Sequence, residues 1–183
     1  SIFVIATPTT VGGPIDKNTR WTMVNSPITV TQTVTVNANI ILTIEAGVEI
    51  FMEADTGFLV SGALVARGTV ERKIYFGPTS GTNPGSWSSL SFNNSSPETQ
   101  LDDSGNYVGG SILKHCVIQY GGGTGAAGQI VVLDSAPLIM DCQISDSNKI
   151  GIYADKALPE FRLYNNLISR NNNGGIYLSR SRA

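Results

Sequence analysis

Apolar residues in this chain fall in short alternating runs. Ile28/Val30, Val34/Val36, Leu42/Ile44, Phe58/Val60, Leu64/Ala66 and Ile74/Phe76 each flank a single intervening residue, and Gly, Asn, Ser or Pro separates one run from the next. A period of two turns alternate side chains to opposite faces, so each run predicts a short strand with one face buried. Hairpins would need two-residue turns of the Asn-Gly kind at every reversal, and these are scarce.

The runs recur. Leu42-Thr43-Ile44-Glu45 is echoed by Leu64-Val65-Ala66-Arg67, and Val36 with Phe58 and Val48 with Val70 keep the same offset. Cys116-Val117-Ile118 returns at a slightly longer interval as Cys142-Gln143-Ile144, with Gly121 to Gly128 supplying extra loop. Ile144 to Tyr153 returns as Ile168 to Tyr177, and Pro137 corresponds to Pro159. Three short strands in a repeat of roughly 22 to 26 residues describe one turn of a coil. Coils stacked at about 4.8 Å pair every strand with its copies above and below, which is a parallel β-helix. The span from Ile28 to Leu178 holds about six or seven such coils at this repeat length. The expected inward residues are Ile44, Val60, Ala66, Phe76, Phe92, Ile118, Ile144, Ile152, Ile168 and Ile176.

A family resemblance then becomes specific. Asn18-Thr19-Arg20-Trp21-Thr22, Asn25-Ser26-Pro27-Ile28 and Leu42-Thr43-Ile44-Glu45-Ala46-Gly47-Val48-Glu49-Ile50 resemble the opening coil of right-handed parallel β-helix repeat proteins of the pectin-lyase-like superfamily. Ala46 departs from the proline usual there. Trp87-x-x-Leu90-x-Phe92 and Leu113-Lys114-His115-Cys116-x-Ile118-x-Tyr120 continue the match in order, and the resemblance runs from about Ile15 to Tyr177. It implies an all-β, single-stranded right-handed solenoid with an N-terminal cap at Ile15 to Trp21. It leaves function open, because such proteins include adhesins, matrix and filament components, phage spikes and polysaccharide lyases.

Composition agrees with this fold. Ile and Val number 18 and 14 against 12 Leu, a bias toward pleated surfaces. Charged residues are only 14%, and 18 Ser, 16 Thr and 14 Asn supply the polar surface. A net charge of −2 offers no basic footprint for nucleic acid. No apolar run approaches the roughly 18 to 20 residues of a membrane span. Hydroxyl-rich, lysine-poor surfaces of this kind point to an extracellular or cell-surface location. At 183 residues one domain suffices, and we divide the chain into an N-terminal strand and linker, residues 1–14, and a β-helix domain, residues 15–183. The linker is the Pro/Gly/Thr stretch Thr7 to Pro14.

No catalytic, cofactor or metal constellation emerges. Asp102-Asp103, the only acidic doublet, lies in the polar segment Ser95 to Asn106, which reads as an exposed insertion. Asp141 and Asp146 flank a strand, but their counterparts one coil later are not acidic. His115 adjoins Cys116, yet neighbours on a strand point apart, so a nucleophile–base pair is not expected. Cys116 and Cys142 occupy equivalent inward places and read as stacked buried thiols. The run Thr29 to Val36 is not an ice-matching array, since Phe51, Glu53 and Asp55 stand where the next repeat would need Thr29, Thr31 and Thr33 again. Tyr153 and Tyr177 are the best binding candidates: a stacked outward pair suited to a sugar ring or a neighbouring subunit.

These features predict a non-enzymatic extracellular structural or adhesive protein, with a carbohydrate-binding or polysaccharide-cleaving domain as the competing class. The partners expected are further copies of itself joined head to tail, neighbouring domains of a longer chain, or glycans. The apolar run Ile2, Phe3, Val4 and Ile5 is the expected assembly element, either donated to the edge of a neighbour or folded back as part of its own cap.

Overall fold

Strands too short to bury a face alone must find partners above and below, and the chain solves this by winding. The computed structural model describes residues 8–180. Ile2 to Ile5, the expected assembly element, lie outside the described residues. The described residues hold twenty strands and one short 3₁₀ turn, and eighteen of the strands pair in parallel as a β-solenoid of about seven turns. Thr19–Trp21, Ile41–Ile44, Ala63–Arg67, Ile112–Lys114, Leu138–Met140 and Arg162–Tyr164 stack as a six-stranded parallel sheet. The other two strands of each coil belong to a twelve-stranded sheet, joined through Ile28–Val36, whose first half pairs with Glu49–Met52 and second half with Phe58–Val60.

Register places the same position of each coil in one inward column. Trp21, Ile44, Ala66, Leu113, Ile139 and Leu163 form one column, and Ile28, Ile50, Phe76, Ile118, Ile144 and Ile168 another. Val34, Phe58, Leu90, Ile130, Ile152 and Ile176 line the third side. Of the ten residues expected inward, eight are buried; Ile168 is half-buried and Ile176 exposed, because no further coil covers them among the described residues. Each fully buried aliphatic side chain contributes about 1.5–3 kcal/mol against the entropy of ordering the chain. Near the N-terminal end, Trp21, Phe58 and Phe76 pack edge to face, with centroids 5.9 and 6.0 Å apart.

Several expectations need correction. The pairing of Val36 with Phe58 is wrong by two positions: Val34 meets Phe58 and Val36 meets Val60. The turn 53–57 is longer than 31–33, whereas Ser61-Gly62 is shorter than 37–40, so coil length is conserved while register shifts on one side. Gly62 makes the tight turn possible, since a Cβ there would lie 2.2 Å from the Ile40 carbonyl oxygen. Val70 is not the counterpart of buried Val48; it lies in the loop 68–73 and is 68% exposed.

The expected linker is also a strand. Thr9–Ile15 pairs in parallel with Ile28–Val36, with a bulge between Val11 and Gly13. Pro14 reads as a breaker, but on an edge strand its missing N–H removes no ladder hydrogen bond. Gly12 permits close approach, for a Cβ there would meet that of Gln32 at 2.8 Å. The expected cap contributes Thr19–Trp21, the first strand of the six-stranded sheet, with Trp21 closing over Phe58. The expected insertion, Ser95 to Asn106, lies within a longer excursion, residues 93–111, bearing the hairpin Gln100–Leu101 and Tyr107–Gly109, the only antiparallel pair among the described residues.

Candidate functional site

Corners turn the chain between strands, and they carry most of the polar side chains considered for chemistry. His115, Asp141 and Asn165 occupy one corner on three successive coils with φ of 48°, 56° and 51°. Asn and Asp tolerate this left-handed conformation better than most residues. His115 Nε2 lies 3.9 Å from Asp141 Oδ2, and Asn165 Nδ2 donates to Asp141 Oδ1 at 3.4 Å. The next residue in each coil folds inward as a rung. The Cys116 N–H donates to Cys142 Sγ at 3.4 Å, and the Cys142 N–H to Asn166 Oδ1 at 3.0 Å. Both cysteines are free and buried, as expected, and burial pushes the Cys116 thiol well up. Cys116 Sγ donates to the carbonyls of Lys114 and Ala66, while His115 faces Asp141. The two adjacent side chains therefore diverge, Cys116 into the core and His115 toward Asp141 on the next coil.

A second corner holds Tyr120, Asp146 and Arg170. Arg170 donates to Asp146 through Nε and Nη2, at 2.7 and 2.8 Å, and Ser145 Oγ donates to the same carboxylate at 2.8 Å. The Arg170 hydrogen bond, helped by Ser145, holds the Asp146 carboxyl below its ordinary range. Ser179 Oγ donates to Asp155 Oδ1 at 2.7 Å in the same coil-to-coil manner. Asp102 sits at the hairpin tip and accepts from the N–H groups of Asn106 and Ser104, which lowers its pKa. Asp141 and Asp146 thus meet Asn165 and Arg170, not further carboxylates. No group of three metal-ligating side chains occurs among the described residues.

Tyr153 and Tyr177 stack as expected, with centroids 4.8 Å apart and planes 9° from parallel. They end the outward column Thr35, Leu59, Ser91, Val131, Tyr153 and Tyr177. Tyr177 is 43% exposed. Thr10 meets Thr29, but the threonines go no further, since Thr29 meets Phe51 and Thr35 meets Leu59.

Sequence reasoning missed a concavity. A groove of about 770 Å³ runs along the outer face of the six-stranded sheet, lined by Arg20, Glu45, Arg67, Arg72, Lys114 and His115 among others. Arg20 Nε donates to Glu45 Oε1 at 2.6 Å. The Arg67 guanidinium lies over the Tyr107 ring, 5.4 Å from its centroid, which ties it to the hairpin. The signal was present: the offset that sets Leu42 on Leu64 also aligns Glu45 with Arg67. Lys114, which pairs with Arg67, was hidden by the insertion. A smaller groove of about 310 Å³ opens at the N-terminal end, between Val11, Ile15, Trp21 and Val34.

Residues 88–183, just over half of the chain, match a family model described as a right handed beta helix region. No curated protein and no solved structure matches the chain.

Proposed function

The chain belongs to the right-handed β-helix family, and from that premise we propose that it is a non-enzymatic structural or adhesive scaffold, working outside the cell or at its surface. The observation that carries this reading is where its polar side chains go. Asp141, Asp146, Asp155, Asn166 and Asn171 each bond a residue or backbone group one coil away. Groups of this kind clamp successive coils, so these side chains serve the wall of the solenoid.

Assembly is head to tail in this reading. Strands Arg162–Tyr164, Leu167–Ser169 and Ile176–Arg180 end one face of the stack, where Ile176 and Leu178 are 50% and 45% exposed. Thr19–Trp21 and Thr9–Ile15 end the other, beside the groove at Val11, Ile15 and Trp21. The two ends differ, so the contact is heterologous and grows without closing unless its rotation forms a ring. Sedimentation velocity over a hundredfold concentration range tests it. Parent protein is expected to lengthen into multimers, and Leu178→Lys to stay monomeric. A parent that sediments as a monomer throughout removes the assembly claim. Cleavage of a polysaccharide that disappears on replacing Asp102, Asp103 or Asp141 removes the non-enzymatic one.

A second reading, carbohydrate binding, is favoured by the Tyr153–Tyr177 stack, whose flat rings suit a sugar face. Loss of glycan-array signal in Tyr177→Ala, with an unchanged melting temperature, would support it.

A further inference from the structure

The groove on the six-stranded sheet has a charge pattern that the scaffold does not use. Its permanent cations are Arg20, Arg67, Arg72 and Lys114, and its carboxylates are Glu45 and Glu71, in a chain of net charge −2. Glu45 is neutralised by Arg20, and Arg67, Arg72 and Lys114 make no ion pair among the described residues. Like charges gathered on one wall repel, so an arrangement of this kind is stabilised by an anionic partner.

The cations come from separate elements. Arg67 and Lys114 project from neighbouring strands, and Arg72 from the loop 68–73 that rims the groove. That loop is pinned: the Gly68 N–H donates to the Lys114 carbonyl at 2.8 Å, and Thr69 and Arg72 exchange two hydrogen bonds of 3.0 Å. Arg67 is steadied by Tyr107. The site is therefore largely formed before a ligand arrives, which lowers the entropy lost on binding.

Shape and chemistry select the ligand. The groove follows the solenoid axis from Arg20 past Glu45 and Arg67 to Lys114, three coil steps or roughly 14 Å at the usual strand spacing. It is open at the surface, which suits a linear polymer. It lies on a sheet face whose main-chain groups are paired within the ladder, so a peptide finds no edge for strand addition. A planar carboxylate is satisfied by one guanidinium fork. Cations reaching in from two strands and a loop suit an oxyanion with oxygens in several directions. We infer that this groove binds a sulfated polysaccharide, its sulfate groups held by Arg67, Arg72 and Lys114. The site is distinct from the tyrosine stack and does not depend on head-to-tail assembly.

Isothermal titration of the whole chain with dextran sulfate, at low and physiological salt, tests the inference. Parent protein is expected to bind and to weaken at higher salt. Arg67→Gln/Lys114→Gln should lose at least tenfold in affinity, whereas Lys149→Gln/Lys156→Gln, which changes cations outside the groove, should lose less than twofold. Polygalacturonate of matched charge density should bind at least tenfold more weakly than dextran sulfate. Absence of binding, equal affinity of both double variants, or equal binding of polygalacturonate overturns the assignment. Tighter binding of inorganic polyphosphate or single-stranded DNA overturns it in favour of a phosphate-bearing ligand. Should the Arg67/Lys114 variant fail to fold, acetylation of parent protein followed by mass spectrometry reads the same contact. Dextran sulfate is expected to protect Lys114 several-fold over Lys149, and equal labelling overturns the site.

Discussion

Two stretches of this chain carry a repeated sequence pattern at different places in the stack. Ile144 to Tyr153 and Ile168 to Tyr177 pair in register, Ile144 on Ile168, Ile152 on Ile176 and Tyr153 on Tyr177. Ile144 and Ile152 are fully buried, whereas Ile168 is half-buried and Ile176 is 50% exposed. The local pattern is the same, and the difference comes from whether another coil lies on top. Burial in a solenoid is thus a property of neighbour interfaces, and each coil's contribution depends on having two of them.

The largest effect expected is for Ile144→Lys. A buried, unpaired ammonium costs several kcal/mol, which competes with a total stability of roughly 5–15 kcal/mol, so the protein should fail to fold cooperatively. A thermal melt indistinguishable from the parent's would break the register described here. Next come Ile152→Ala and Ile176→Ala, the direct test of the comparison. The first should cost about 2–5 kcal/mol in urea denaturation. The second removes a side chain already half in water and should cost less than half as much; equal costs would mean that Ile176 is covered in solution, as head-to-tail assembly requires.

Arg170→Gln should have the smallest effect, and it carries a pH signature. The Asp146 carboxyl is held below its ordinary value mainly by Arg170. Its ionised form therefore stabilises the fold above the unfolded-state pKa, near 3.8, and this contribution is lost as pH falls through the lower folded-state value. The variant should melt slightly below the parent at pH 7, and the gap should close as the pH falls below about 4. A gap that widens in acid would contradict the assigned partner.

Much of the fold was legible because period two and a coil-length repeat are both local signals. Trp87 shows where legibility ended: its motif was recognised, but nothing in the sequence announced that its indole N–H donates to the Gln119 carbonyl at 2.7 Å. Thr9–Ile15 was misread because Pro and Gly normally break strands, and only its edge position makes Pro14 harmless. The tyrosine pair was found because no insertion interrupts the repeat between Tyr153 and Tyr177. The cationic groove was not, since the whole hairpin insertion separates Arg67 from Lys114 along the chain.

By itself the sequence determined that the chain winds and which side chains of most strands face inward. Alternation is decided within a few residues by steric and hydration preferences. The tertiary structure alone decided how coils separated by an insertion align. The long insertion 93–111 had to leave the stack before Ile112–Lys114 could pair with Ala63–Arg67. That pairing sets Lys114 beside Arg67 and His115 beside Asp141, and makes Cys142 the acceptor for the Cys116 N–H. Charge–charge and hydrogen-bond contacts act over a few ångströms, so they exist only once coils of unequal length have been brought into register.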